Sequence, residues 1–103
     1  MKIAVATSGN TMESKLDYCF SKCSYFMICD TESSKIDFIR NPVGYFSISA
    51  GKAIIKLLSK HQIEKIVSVK FGIKSMKAAE KIKIKVQIIN DETINMNQLI
   101  KLI

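Results

Sequence analysis

Tryptophan is absent from this chain, and only one of its sixteen basic residues, Arg40, is an arginine. Proteins that read nucleic acid lean on arginine for bidentate contacts to bases and phosphates, so a nearly all-lysine complement does not favour that class. Cysteine occurs three times, an odd number, and a chain of this size in a reducing compartment needs no disulfide, so all three are read as free thiols. No window approaches the roughly 18 apolar residues of a membrane span. The N-terminus runs directly into strand-like residues, with no basic-then-apolar leader. These absences lead to the expectation of a soluble, cytoplasmic protein. A phosphate loop of the Gly-x4-Gly-Lys-Ser/Thr kind is also missing, as are internal repeats and low-complexity segments.

What is present suffices for one domain over residues 1–103, with 48% hydrophobic residues to build a core. The formal net charge is +7. Such a surplus favours anionic partners, whether nucleic acid, phosphate or an anionic cofactor. The plain alternative is a compositional bias toward lysine and isoleucine.

Apolar patterning gives the order of elements. "KIAVATS", Lys2 to Ser8, reads as a central strand buried on both faces. A long polar loop follows over residues 9–24. "YFMIC", Tyr25 to Cys29, and the alternating "KIDFIR", Lys35 to Arg40, read as two strands of a hairpin turning at Asp30–Ser34. Asn41-Pro42 ends the second, and a loop containing Gly44 leads to Ser47 or Ser49 as a helix cap. Ala50, Ala53, Ile54, Leu57, Leu58 and His61 then recur at helical spacing, with Lys52, Lys56 and Lys60 on the opposite face. Lys65 to Val69 is a strand, and Ile73 to Lys83 a short helix with Met76, Ala79 and Ile82 inward. Lys85 to Ile89 is a strand, and the acids of Asp91-Glu92-Thr93 suit the start of a last helix carrying Met96, Leu99, Ile100 and Ile103 inward. The order β-β-β-α-β-α-β-α predicts an α/β, three-layer fold of ribonuclease-H-like type: a five-stranded mixed sheet with helices on both faces.

This topology gathers three loops at the carboxyl end of the first strand: residues 8–24, 41–49 and 70–75. Open α/β sheets bind ligands at such crevices, and helix amino ends there attract anions. The stretch "LDYCFSKCSYF", Leu16 to Phe26, brings Cys19 and Cys23 to this rim, with Lys22, Lys70 and Lys74 beside them. Nearby lysines favour thiolate, the form that ligates metal. Yet a closed zinc site needs four ligands, and each cysteine has the alternative of packing inward as a small hydrophobe. Cys29 falls roughly 20 Å down a strand at about 3.3 Å per residue and is assigned to the core. His61 falls at the opposite end of the molecule, beyond reach of Cys19 and Cys23, and no Ser-His-Asp set forms around it. The first strand has no acid, and Asp17 and Asp91 alone do not make a two-metal nuclease clamp. No catalytic set emerges.

Several short motifs in order resemble those of the dinitrogenase iron–molybdenum cofactor biosynthesis family, the small NifX/NafY-like domain. They are the opening "MKIAVATSGN"; Phe20-Ser21-Lys22 followed by Tyr25-Phe26-Met27-Ile28-Cys29-Asp30, where the family has Phe-Gly-Arg and a "YF(L/I)I.D" strand; Asn41-Pro42; the helix Ala50-Gly51 to Leu58; Gly72; and Ile82 to Val86. The resemblance implies a ribonuclease-H-like fold and a non-enzymatic carrier for an iron–sulfur or iron–molybdenum type cluster or its precursor, with cluster donor or acceptor proteins as partners. On that reading Cys19 and Cys23 are metal ligands, while Lys22, Lys70 and Lys74 offset cluster charge. Backbone N–H groups after Ser49 and Gly72 donate to the cluster. The competing expectation is a cofactor-free interaction or regulatory domain using the same basic face. Oligomeric state stays open between monomer and a homodimer paired through the edge strand Lys35–Arg40.

Overall fold

The computed structural model describes residues 1–43 and 50–103. Five strands form one sheet: β1 (Lys2–Thr7), β2 (Tyr25–Asp30), β3 (Lys35–Arg40), β4 (Lys65–Ser68) and β5 (Lys85–Ile88), in the order β3-β2-β1-β4-β5. The hairpin strands pair antiparallel to β1 and to each other, whereas β4 and β5 run parallel to β1. The mixed five-stranded α/β architecture is therefore the one the patterning predicted, with β3 an edge strand.

β1 is central, and its alternation serves two cores. Ala4 and Ala6 face a cluster with Ile54, Ile55 and Leu58 of α1 (Ala50–Lys60) and Ala79 of α2 (Ile73–Lys81). Ile3 and Val5 face the other side, with Met96 and Leu99 of α3 (Met96–Leu99). Small alanines toward two long helices and larger side chains toward one short helix match the thickness of each layer. Cys29 lies in the second core, as expected, and burial raises its thiol pKa.

The helix ends depart from expectation. α2 stops at Lys81, and Ile82, predicted to point inward, is 45% exposed. His61 likewise leaves the helical stripe and is exposed. Both helices close in the same way. Gln62 and Lys83 take φ of 62° and 61°, and Ile63 N–H donates to Leu58 O at 3.2 Å as Ile84 N–H does to Ala79 O at 2.9 Å. Each is a Schellman closure with a buried isoleucine following the left-handed residue. Glycine ordinarily marks that position; here a glutamine and a lysine fill it, so the stop left no trace in the pattern. The last helix also starts later than predicted. Asp91 accepts bonds from Thr93 N–H and O–H at 2.9 and 2.6 Å and builds a turn. The cap is Asn95, in a reciprocal capping box with Gln98. Ser47, Ser49 and Gly44 lie outside the described residues.

Replacing Gln62 or Lys83 by glycine relieves a left-handed conformation that costs a side-chain-bearing residue about 1–2 kcal/mol, offset in part by the entropy of the unfolded glycine. Each substitution is expected to raise stability by up to about 1 kcal/mol, read as a higher denaturation midpoint at unchanged m-value.

Candidate functional site

The loop between β1 and β2 is stitched to the sheet at almost every step. Ser8 N–H donates to Lys15 O, Asp17 N–H to Ala6 O, and Leu16 N–H to Ile94 O, each within 3.0 Å. Beyond Leu16 the chain crosses to the far side of β4. Lys70 N–H donates to Tyr18 O at 2.8 Å, and Phe20 N–H to Lys70 O at 3.4 Å, so residues 18–20 extend the sheet beside residue 70. Cys19 and Lys70, distant in sequence, become direct neighbours in this way.

Phe20 is the anchor. It opens a 3-10 turn over Phe20–Lys22, is fully buried, and stacks on Phe71 with ring centroids 4.3 Å apart. Phe26 of β2 meets it at 5.8 Å in a tilted arrangement. The turn is closed from the other side by Asn41, whose Nδ2 donates to Cys23 O at 2.9 Å and Ser21 O at 3.4 Å. Its Oδ1 accepts from Val43 N–H at 3.0 Å. The sequence marks Asn41 as the end of a strand and as part of a family motif, and the structure adds this bonding role. An asparagine before proline is also a side-chain turn former, which was the available signal.

Of the residues predicted to form the site, four come together. Cys19, Lys22, Lys70 and Gly72 line one pocket of about 480 Å³ at the carboxyl ends of β1 and β4. Asp17, Tyr18 and Ser75 complete much of its wall. Lys70 Nζ lies 5.7 Å from the centre of the Tyr18 ring, a cation–π contact that holds the ammonium over the pocket. Gly72 precedes the first turn of α2, which has no side-chain cap and no acid, so its amino end keeps its positive field. A Cβ built on Gly72 would meet nothing within 4 Å. Among the described residues, the opposing charge on the wall is the Asp17 carboxylate.

Two predicted members are elsewhere, and Ser49 falls among the residues not described. Lys74 points away from the pocket, into a groove between α1 and α2. Cys23 is 3% exposed and belongs to the core with Phe20 and Phe26. Its S–H donates to Phe20 O at 3.4 Å. Burial, reinforced by the nearby Asp17 carboxylate, pushes this thiol far above the ordinary cysteine range. It is a thiol at any physiological pH, so the two cysteines do not form a matched pair of thiolates. Cys19 is half-buried, with Sγ 3.5 Å from Ser21 Oγ. Among the described residues no three of His, Cys, Asp and Glu converge as metal ligands.

The sequence profile of the dinitrogenase iron–molybdenum cofactor family matches residues 1–101. The chain belongs to that family. Its members are small domains connected with carrying or building such cofactors. The fold is shared with the apo form of the orange protein from Desulfovibrio gigas, at a TM-score of 0.89 and 22% identity over 97% of this chain and 83% of that one. A NifB-type protein from Thermotoga superposes at 0.79 with 19% identity, over 97% and 84% of the two chains. No curated protein matches the sequence. No helix among the described residues is long and apolar enough to cross a membrane.

Within this family frame the three thiols are sharply unequal. A disulfide-exchange reagent at neutral pH is expected to modify Cys19 rapidly and Cys23 and Cys29 only on unfolding. Mass mapping of the labelled protein checks this; rapid labelling of Cys23 in the native protein would contradict its assignment to the core.

Proposed function

We propose that the chain is a non-enzymatic carrier that holds an anionic metal–sulfur cluster, or a precursor of one, in the pocket between Cys19 and Gly72. The observation that carries the reading is the convergence of Cys19, Lys22, Lys70 and Gly72 on one wall system at the sheet's carboxyl end, in a member of this cofactor family. The cluster is cargo, and the donor set says how it is held. With Cys23 withdrawn into the core, the pocket offers one thiol rather than a set of thiolates. That does not fit an iron–sulfur cluster ligated by four cysteines. It suits a sulfide-rich anion held mainly by charge, with Lys22 and Lys70 as ammonium partners, N–H groups at the start of α2 as donors, and Cys19 as a single anchor. The partners implied by the family are proteins that donate the cluster or receive it.

The ribonuclease-H-like architecture belongs to the same reading. It accounts for a ligand site at the carboxyl ends of β1 and β4, next to the point where the sheet changes from antiparallel to parallel. A homodimer paired through β3 remains compatible with that edge, whose Lys35 and Asp37 are exposed. A cytoplasmic location agrees with a thiol kept reduced at Cys19.

Anaerobic reconstitution of the whole chain with ferrous iron, sulfide and molybdate tests the proposal. The wild type is expected to gain visible sulfur-to-metal absorption that survives desalting. Lys22→Glu with Lys70→Glu should weaken retention by about tenfold or more, and Cys19→Ser should weaken it less. Cys23→Ala should load as the wild type does once folding is verified by circular dichroism. Asp17→Asn, which removes the opposing carboxylate, should retain cargo more tightly. A wild type that stays colourless, or loading indifferent to Lys22, Lys70 and Cys19 together, overturns the reading.

A further inference from the structure

The chain's charge is not spread evenly. α1 and α2 lie side by side on one face of the sheet, both starting near its carboxyl end. They touch most closely at that end, where Gly51 leaves no room for a Cβ against the Ser75 hydroxyl. Further along, the two helices frame a groove of about 590 Å³. Its walls carry Lys52 and Lys56 from α1 and Lys74, Lys77 and Lys81 from α2, with no acidic residue among the lining side chains. These are five of the chain's sixteen basic residues. Among the described residues none of the five is in an ion pair. The one acid on either helix, Glu80, is exposed and does not line the groove.

Stability does not explain this arrangement. Lys52 and Lys56, and Lys77 and Lys81, are like charges at i and i+4, a spacing that weakens each helix. Nor is the floor that of a solvated polar surface. Ile55, Ala78 and the 45%-exposed Ile82 line it between the two rows of ammonium groups. An apolar trough flanked on both sides by cations matches one kind of occupant well: an amphipathic helix with an apolar stripe and acids along both margins. The lysine-lined stretch from Lys52 to Ser59 runs about 10 Å at 1.5 Å per residue, which accommodates about two turns of such a helix. Nucleic acid fits less well, because the groove has no arginine and no aromatic side chain to stack a base. A bilayer fits less well too, because Ile55, Ala78 and Ile82 offer little apolar surface to insert.

We infer that the α1–α2 groove is a docking surface for an acidic amphipathic helix of a partner protein. The inference does not depend on the pocket at the sheet's end holding a cluster, since no residue of the groove lines that pocket. It supplies what a carrier otherwise lacks, a place to be recognised that leaves the cargo site uncovered.

The test uses the whole chain and a synthetic fourteen-residue helical peptide, with leucines at i, i+3, i+4 and i+7 and glutamates on both flanks. Two comparison peptides carry the same residues in scrambled order and lysines in place of the glutamates. Backbone amide shift mapping by NMR should place the glutamate peptide on α1 and α2, with affinity falling about tenfold between 50 and 200 mM salt or on charge reversal. Lys52→Glu with Lys56→Glu, and separately Lys77→Glu with Lys81→Glu, should each weaken binding by about tenfold. These exposed positions are expected to leave the circular dichroism spectrum and cluster retention unchanged. Ile82→Ser should weaken binding with no change in charge. Equal binding of the scrambled peptide, shifts outside α1 and α2, or tighter binding of single-stranded DNA or of vesicles containing anionic phospholipid would each overturn the inference. So would loss of peptide binding in none of the lysine variants. Failure of reconstitution alone counts against the cargo reading and leaves this one standing.

Discussion

The stacking of Phe20 on Phe71 is the contact on which the rest of the candidate site depends. The two rings bring together segments distant in sequence: the long β1–β2 loop and the two-residue link between Lys70 and α2. Besides it the loop is held by the buried Leu16, by the Asn41 side chain and by main-chain bonds, and exposed main-chain bonds contribute little net stability. With Phe20 buried, its neighbours have no freedom to choose sides. Cys19 is left on the pocket wall and Cys23, at the end of the same 3-10 turn, is carried into the core. Lys70 and Gly72 are fixed because they flank Phe71. One apolar pair thus sets where Cys19, Cys23, Lys70 and Gly72 lie, and its burial, worth about 1.5–3 kcal/mol per phenylalanine, adds to the main-chain bonds and the buried Leu16 that order the rest of the loop over residues 8–24.

The sheet and its topology were legible in the sequence because they rest on runs of apolar residues long enough to have one interpretation. Lys2–Thr7 could only be a central strand, and the alternation in Lys35–Arg40 could only be an edge or half-buried strand. Connectivity together with the sequence brings the loops carrying Cys19, Lys22, Lys70 and Gly72 to one end of the sheet, and these four line one pocket there. What was not legible depended on side-chain direction within a turn. Cys19 and Cys23 are four residues apart, and in a continuous helix they would share a face. The turn ends after Lys22, so the spacing of a ligand pair gives opposite environments. The helix stops were hidden for a different reason: Gln62 and Lys83 occupy positions that glycine usually marks, and tertiary burial of Ile63 and Ile84 overrides the local preference.

Lys74 shows how sequence proximity and spatial proximity part company. It lies two residues from Gly72, and any linear reading assigns it to the same anion site. A helix turns by about 100° per residue, so two positions on it face the other way. Lys74 therefore begins the row that continues through Lys77 and Lys81, and its ammonium faces α1 rather than the pocket. Within the basic surplus, two groups of lysines stand out among the described residues. The smaller, Lys22 and Lys70, is embedded among a thiol, a tyrosine ring and a helix amino end. The larger is a pair of rows over an apolar floor.

That division has a consequence for how a carrier of this kind can work. On the proposed reading, cargo held by charge and one thiol leaves more easily than cargo bound by four thiolates, because no strong bond set must be broken at once. Ease of release is useful only if release happens at the right partner. Both α1 and α2 start at the end of the sheet where the pocket lies, and they touch there through Gly51 and Ser75, the latter also a pocket residue. The groove and the pocket are thus separate surfaces beside one helix–helix contact, and on the proposed reading a partner is recognised at the first without covering the second.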